Sequence, residues 1–122
     1  MSAEDALQPR QFGPSGKYTT RTGEYPGQRS RYVEAVHTNS GRRIGAMNWF
    51  DTPVGSGGAV VNKVGQTVEP DKPTIFKVVV SRNMRRKGVA SAMLEHARDI
   101  APGLQHSHAL SEDGAEWARA RP

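Results

Sequence analysis

Three consecutive valines, Val78, Val79 and Val80, run through a basic turn marked by Gly88 into a segment whose apolar residues recur at helical spacing. A strand that turns straight into a helix places the first helical turn at the edge of a sheet, and that turn leaves several backbone N–H groups without partners inside the helix. The helix dipole makes the same end partially positive, so it is suited to an anion. Gly88 lets a ligand approach the backbone, and Arg85, Arg86 and Lys87 add charge at the same place. A diphosphate fits such a cup. The plainer reading is a basic helix start that is merely solvated.

The flanking elements can be read from periodicity. Residues 32–37 and 44–50 are two extended runs separated by Thr38, Asn39, Ser40 and Gly41, a set that suits a hairpin turn with a positive φ at the glycine. Met47 and Trp49 share a face of the second run and read as core. The chain then turns through residues 51–58, and the apolar run 59–64 is either a strand or a loop. Residues 74–80, β-branched and apolar apart from Lys77, predict a mid-sheet strand covered on both faces. From Gly88 to Ile100 the stripe Val89, Met93, Ala97 and Ile100, widened by Ala90 and Leu94, predicts a helix that Pro102 and Gly103 stop. A last strand over 105–110 is expected to lead to Ser111 as N-cap of a closing helix anchored by Trp117. No internal repeat is evident.

At 122 residues there is room for one small domain, and with 35% hydrophobic residues, 13 glycines and 8 prolines part of the chain is expected to contribute little to its core. Residues 1–30 combine Pro9, Pro14 and Pro26 with four glycines and show no apolar periodicity, which predicts a flexible basic arm. Its Arg10, Lys17, Arg21 and Arg29, interspersed with Phe12, Tyr18 and Tyr25, suit nucleic acid or a partner protein, or simply make a solvated tail. The net charge of +5 and a pI near 10.0 favour anionic partners without choosing among them. With no cysteine, disulfides, thiolate metal sites and a cysteine nucleophile are excluded. No apolar run reaches bilayer length and the first residues are acidic, so a cytoplasmic protein without membrane contact is expected.

Read as R-x-x-G-x-A, Arg85, Gly88 and Ala90 resemble the acyl-CoA pyrophosphate loop of the GNAT superfamily of N-acetyltransferases, with Val80 at the family's strand end and residues 105–119 similar to the last strand and helix of its short bacterial and phage members. The resemblance implies an α+β fold: a compact, mainly antiparallel mixed sheet with two C-terminal helices over residues 31–122, lacking most of the family's N-terminal strand and helices. It implies transfer of an acetyl group from acetyl-CoA to an amine on a protein or small molecule. Pantetheine would pair with Val78 and Val80, and the diphosphate would lie on Arg85, Arg86, Lys87, Gly88, Val89, Ala90 and Ser91.

Two departures accompany it. The family's glutamate on the central strand and tyrosine in the last helix have no counterpart, since residues 74–80 hold no carboxylate and no tyrosine follows Tyr32. His106 and His108 are expected at the acyl end of the cleft, where an imidazole can act as base, and Ser111 could donate a hydrogen bond to the thiolate. Their alternatives are a surface histidine pair and a simple helix cap. The pair His106-x-His108 is weak as a metal site, and none is assigned. The acceptor half, occupied only by the arm, looks truncated, which leaves an open cleft for a protein amine, a pocket completed by a homodimer, or coenzyme binding without turnover. The rival from another class is a scaffold that binds nucleic acid or an assembly through the basic arm and Arg85, Arg86 and Lys87.

Overall fold

The computed structural model describes residues 2–25, 30–51, 59–107, 110 and 112–122. A short helix α1 (Ala3–Ala6) precedes strands β1 (Arg10–Phe12), β2 (Tyr18–Glu24), β3 (Ser30–His37), β4 (Arg43–Phe50), β5 (Val60–Val61), β6 (Thr67–Val68) and β7 (Thr74–Val80), and helices α2 (Val89–Ile100) and α3 (Glu112–Ala120) follow. The fold is a mixed α+β one. Five strands form an antiparallel sheet in the order β1-β2-β3-β4-β7, and β5 and β6 make a separate two-stranded ribbon.

The hairpin of β3 and β4 follows the alternation read from the sequence. Val33, Ala35, Met47 and Trp49 are fully buried on one face, and Gly41 takes φ +73° in the turn. Helix α2 lies on this face, across β2, β3, β4 and β7, and contributes Val89, Met93, Leu94 and Ala97 to a core with Ile44, Met47, Trp49 and Ile75. Gly45 allows the close approach: a Cβ there would sit 3.1 Å from both Met93 Cε and Val89 Cγ1. Between Ala35 and Val36 the register with β4 shifts and Ile44 is left without a partner. That bulge turns Ile44 to the same face as Met47 and Trp49, against strict alternation.

The N-terminal segment departs from the expected flexible arm. Ser2 caps α1 by accepting from the Asp5 N–H. Strand β2 pairs along its whole length with β3, from Tyr18 opposite His37 to Glu24 opposite Arg31. The strand expected to be missing before the hairpin is therefore supplied by residues 10–24. Its buried face is polar but satisfied, which is why hydropathy concealed it: Thr20 Oγ1 meets His96 Nδ1 at 2.8 Å and Thr22 Oγ1 donates to the Tyr32 carbonyl at 2.7 Å. Two of the arm's bases, Arg10 and Arg21, are paired with Asp99 and Glu34.

Strand β7 also differs from expectation. It is the terminal strand of the five, and Phe76, Lys77 and Val79 are exposed on the face turned away from α2. The anticipated last strand over 105–110 reduces, among the described residues, to one parallel bridge between Thr74 and Gln105. The run at 59–64 contains the two-residue strand β5, and the turn expected through residues 52–58 lies outside the described residues.

One histidine ties α1, β2 and α2 together. His96 is 1% exposed, its Nε2–H donates to the Ala6 carbonyl at 2.8 Å, and its Nδ1 faces the Thr20 hydroxyl. The ring is held in one neutral tautomer with Nδ1 as acceptor. Burial lowers its pKa below 6.5, and Arg10 acts in the same direction, while the Ala6 carbonyl and Asp99 oppose them. Because the unfolded chain then takes up a proton that the folded one refuses, stability contributed by this site is complete above pH 6.5 and falls as the pH drops below it. Thermal melts between pH 7.5 and 5.5 should show a declining Tm in the parent and a flatter profile in His96→Gln; equal slopes for the two would contradict this assignment.

Candidate functional site

The cleft begins where β7 parts from its second neighbour. Gln105 fastens the start of the strand: its carbonyl accepts from the Ile75 N–H and its N–H donates to the Pro73 carbonyl, each at 3.0 Å. Its side chain bonds Thr74 Oγ1 and both backbone groups of Glu69. Beyond that point the chains diverge. His106 turns inward beneath α3, and Ser107 presents its carbonyl to Asn62 Nδ2 at 3.3 Å.

A second bulge falls at the point of divergence. Asn48 pairs with Lys77 and Trp49 with Ile75, so Phe76 is the extra residue of β7. Two neighbours, Phe76 and Lys77, are consequently exposed in succession, after which Val78 and Val80 return to the core side. The same shift decides which backbone groups face the open edge. Ser81 N–H bonds the Ile44 carbonyl on the β4 side, and alternation turns the peptide groups of Val80 and Val78 the other way. Arg85 Nε reaches the Val80 carbonyl on that side at 3.5 Å.

At the end of β7 the chain makes a single 3₁₀ turn over Arg82–Met84, which buries Met84, and enters α2 through two left-handed residues, Arg86 at φ +63° and Gly88 at φ +79°. Gly88 is the N-cap, and no side chain caps the helix. Among the described residues no backbone carbonyl accepts from the N–H of Val89, Ala90 or Ser91, the first helical bond being that from Ala92 to Gly88. A Cβ at Gly88 would meet nothing within 4 Å, so the approach to these amides is open. Arg85, Arg86 and Lys87 are exposed beside them. Arg86 bears a backbone conformation that costs a non-glycine residue about 1–2 kcal/mol, strain of the kind that collects at ligand sites.

Helix α3 forms the opposite wall. Trp117 packs on the core, its Nε1 3.5 Å from Ser91 Oγ, and Arg121 Nε donates to the same oxygen at 3.2 Å. The cleft between the two walls measures about 610 Å³ and is bounded by residues 78–80 of β7, Met84, Arg85, Arg86, residues 88–91, and Gly114, Glu116 and Trp117 of α3. That is the size of a small-molecule site. Of the expected ligand-binding residues the cavity brings together Val78, Val80, Arg85, Arg86, Gly88, Val89, Ala90 and Ser91, while Lys87 stands outside its lining.

The expected catalytic residues are placed differently. His106 is buried at 4% exposure, donates from Nε2 to the Arg121 carbonyl at 2.6 Å and meets Trp117 edge-on at 5.0 Å. It lies behind the cleft wall, and burial lowers its pKa, with the Arg121 carbonyl opposing and Arg98 assisting. These contacts tie it to the end of α3, where sequence predicts a base at the acyl end of the cleft. His108 and Ser111 lie outside the described residues. Glu116, unmarked in the sequence, is the carboxylate among the described lining residues; only the position of α3 relative to β7 reveals it.

With this geometry established, a sequence model described as the acetyltransferase (GNAT) family matches residues 10–118 of the chain. The protein belongs to the acetyltransferase (GNAT) family. A comparison with curated proteins finds no match. Among solved structures it is similar to an acetyltransferase of Trypanosoma brucei, at 18% identity and a TM-score of 0.49, the likeness covering 75% of this chain and 60% of that one. The chain thus spans about three fifths of the length of that structure.

The strain at Arg86 makes a test of the loop that needs no coenzyme. Arg86→Gly relieves the left-handed penalty, less the entropy that glycine loses on folding, so it should melt no lower than the parent and up to a few degrees higher. It should also bind inorganic pyrophosphate roughly tenfold more weakly, because a charged donor is lost. A lower Tm together with unchanged pyrophosphate affinity, read by calorimetry, would show that the arginine is there for folding alone.

Proposed function

We propose that the protein is an N-acetyltransferase that takes acetyl-CoA in the cleft between β7 and α3 and delivers the acetyl group to an amine. The observation that carries this reading is the combination, in one cavity, of a strand edge at Val78 and Val80 and three amides at Val89, Ala90 and Ser91, for which no backbone partner is found among the described residues. The first suits an amide-bearing arm and the second suits linked phosphates. A coenzyme A thioester carries both in succession, its amide-bearing pantetheine arm being joined directly to its diphosphate, and acetyl-CoA would supply the activated acetyl group.

The residues of the chain have distinct tasks in this account. Val89, Ala90 and Ser91 hold the diphosphate by backbone N–H donation, and Arg85 and Arg86 neutralise it. Arg85 leaves the Val80 carbonyl to do so. Val78 and Val80 align the arm along β7, fixing the distance from the phosphate cup to the reacting carbonyl, and a backbone N–H on this edge polarises that carbonyl. Trp117 and the apolar side chains of Val78 and Met84 restrict water. Glu116 is assigned the task of receiving the proton that the amine must lose, as the acid–base group of the described lining. The acceptor approaches from the sheet face that carries Phe76 and Val79, since Val79 both borders the cavity and is 46% exposed. The nature of that amine, a second subunit as part of its pocket, and a cytoplasmic setting belong to this proposal as expectations.

Saturating acetyl-CoA should raise the Tm of the purified protein by several degrees, and S-acetylpantetheine, which lacks the diphosphate and the adenosine, should not. Gly88→Glu puts a carboxylate over the free amides and should abolish the shift while leaving the protein folded by circular dichroism. Glu116→Gln should retain the shift but lower the rate of thiol release with an amine acceptor. No shift in the parent, or an equal shift in Gly88→Glu, would remove the basis of the proposal.

A further inference from the structure

The strand order brings three loops to one end of the sheet. Thr38, in the β3–β4 turn, donates its N–H to the Lys17 carbonyl at 2.9 Å and its hydroxyl to the Gly16 carbonyl at 2.6 Å, so the segment before β2 lies against that turn. On the other side Ser81 N–H meets the Ile44 carbonyl at 2.8 Å, which brings Arg43 alongside Arg82. The same end therefore collects Lys17, Arg42, Arg43, Arg82, Arg85, Arg86 and Lys87, all exposed. None of the seven forms an ion pair with a carboxylate among the described residues, whereas Arg10, Arg21, Arg31 and Lys72 elsewhere on the surface do. These seven charges exceed the net +5 of the chain, so the remainder of the molecule is net acidic. Such segregation costs repulsion that dispersing the charges would avoid, and it is repaid by a polyanion.

The coenzyme cleft accounts for only part of this surface. Arg85 and Arg86 line the cavity, but Lys17, Arg42 and Arg43 do not, and they extend the positive area across the width of β2, β3 and β4, about 10–15 Å at ordinary strand spacing. Five of the seven are arginines, whose planar fork pairs with phosphate oxygens in two places at once. Loops 13–17, 38–42 and 81–88 contain no tryptophan, tyrosine or phenylalanine, and the neighbouring Tyr18 ring is buried at 7% exposure. A surface that binds single strands usually offers aromatic platforms for the bases. This one offers guanidinium groups and small polar side chains, among them Asn39, Ser40 and Asn83, which is the equipment for contacting backbone phosphates without reading bases.

We propose that this end of the sheet binds the phosphate backbone of a nucleic-acid duplex, with Arg42 and Arg43 as its centre and Lys17, Arg82 and Lys87 on its margins. The site is separate from the diphosphate cup and places a duplex beside the coenzyme entrance. The carboxylate of the described cleft lining, Glu116, belongs to α3 and not to these loops.

Fluorescence anisotropy of the full chain with labelled duplex RNA, duplex DNA and a single strand of matched length tests this. A duplex should bind with a Kd in the micromolar to hundred-micromolar range at low salt and weaken roughly a hundredfold or more between about 50 and 200 mM salt. The RNA and DNA arms show which duplex geometry is preferred. Arg42→Glu combined with Arg43→Glu should weaken duplex binding at least tenfold and leave the thermal shift produced by coenzyme A as it is in the parent; Lys17→Glu is a second, milder reversal on a different loop. Absence of duplex binding at low salt, single-strand binding tenfold tighter than duplex, or unchanged duplex affinity in both variants would each overturn the proposal. A parallel loss of the coenzyme shift would overturn it too, by assigning Arg42 and Arg43 to the coenzyme.

Discussion

A single interruption in strand pairing shapes the functional part of this molecule. Among the described residues, strand β7 is held on one side by β4, with Phe76 bulged out, and on the other by Gln105 at its first residues. A peptide edge left open inside a fold must find water or a ligand, because an unpaired buried N–H or carbonyl is costly. The open stretch at Val78 and Val80 is adjacent to a helix start that has the same deficit. Two sets of backbone groups without backbone partners among the described residues, within one cavity, define the ligand more narrowly than any side chain does.

Both bulges serve this arrangement. The extra residue at Ile44 turns the start of β4 so that Ile44 joins the core on the same side as Gly45, where α2 makes its closest approach through Val89 and Met93. The extra residue at Phe76 keeps Ile75, Val78 and Val80 all on the core side while reversing the sense of the edge. Without it the peptide groups directed at the cavity would be those of Lys77 and Val79. Rigidity then comes from the core of Trp49, Met47 and Met93, none with measurable exposure, and from the polar pins His96 and His106, each joined to a backbone carbonyl.

The sequence made some of this legible and hid the rest for identifiable reasons. The β3–β4 hairpin, the helix after Gly88 and the anchor Trp117 are readable because their apolar residues follow the periods of 2 and 3.6, the bulge at Ile44 apart. Strand β2 was not, because its inward side is Tyr18, Thr20 and Thr22; a threonine strand looks like a tail until the hydroxyl partners, one of them a histidine 76 residues away, are seen. The valines of β7 are as apolar as those of a buried central strand, so sequence predicts a covered strand, and among the described residues its pairing on the second side stops at Gln105. The phosphate cup was legible from Arg85, Gly88 and Ala90, yet the left-handed Arg86 and the carboxylate of Glu116 depend on backbone geometry and on how α3 sits. The chemistry of His106 suggests a base, and its burial against Trp117 and the Arg121 carbonyl is not legible in the sequence.

The central claim is that unpaired peptide groups on β7 and at the start of α2 are what the coenzyme occupies. Amide hydrogen exchange, resolved by residue with and without acetyl-CoA, measures those groups directly. Exchange at Val78, Val80, Val89, Ala90 and Ser91 should slow markedly when the coenzyme is added, while Ile75, already bonded to Gln105, stays unchanged. Slowing confined to other parts of the chain, with these five amides exchanging as before, would contradict the account.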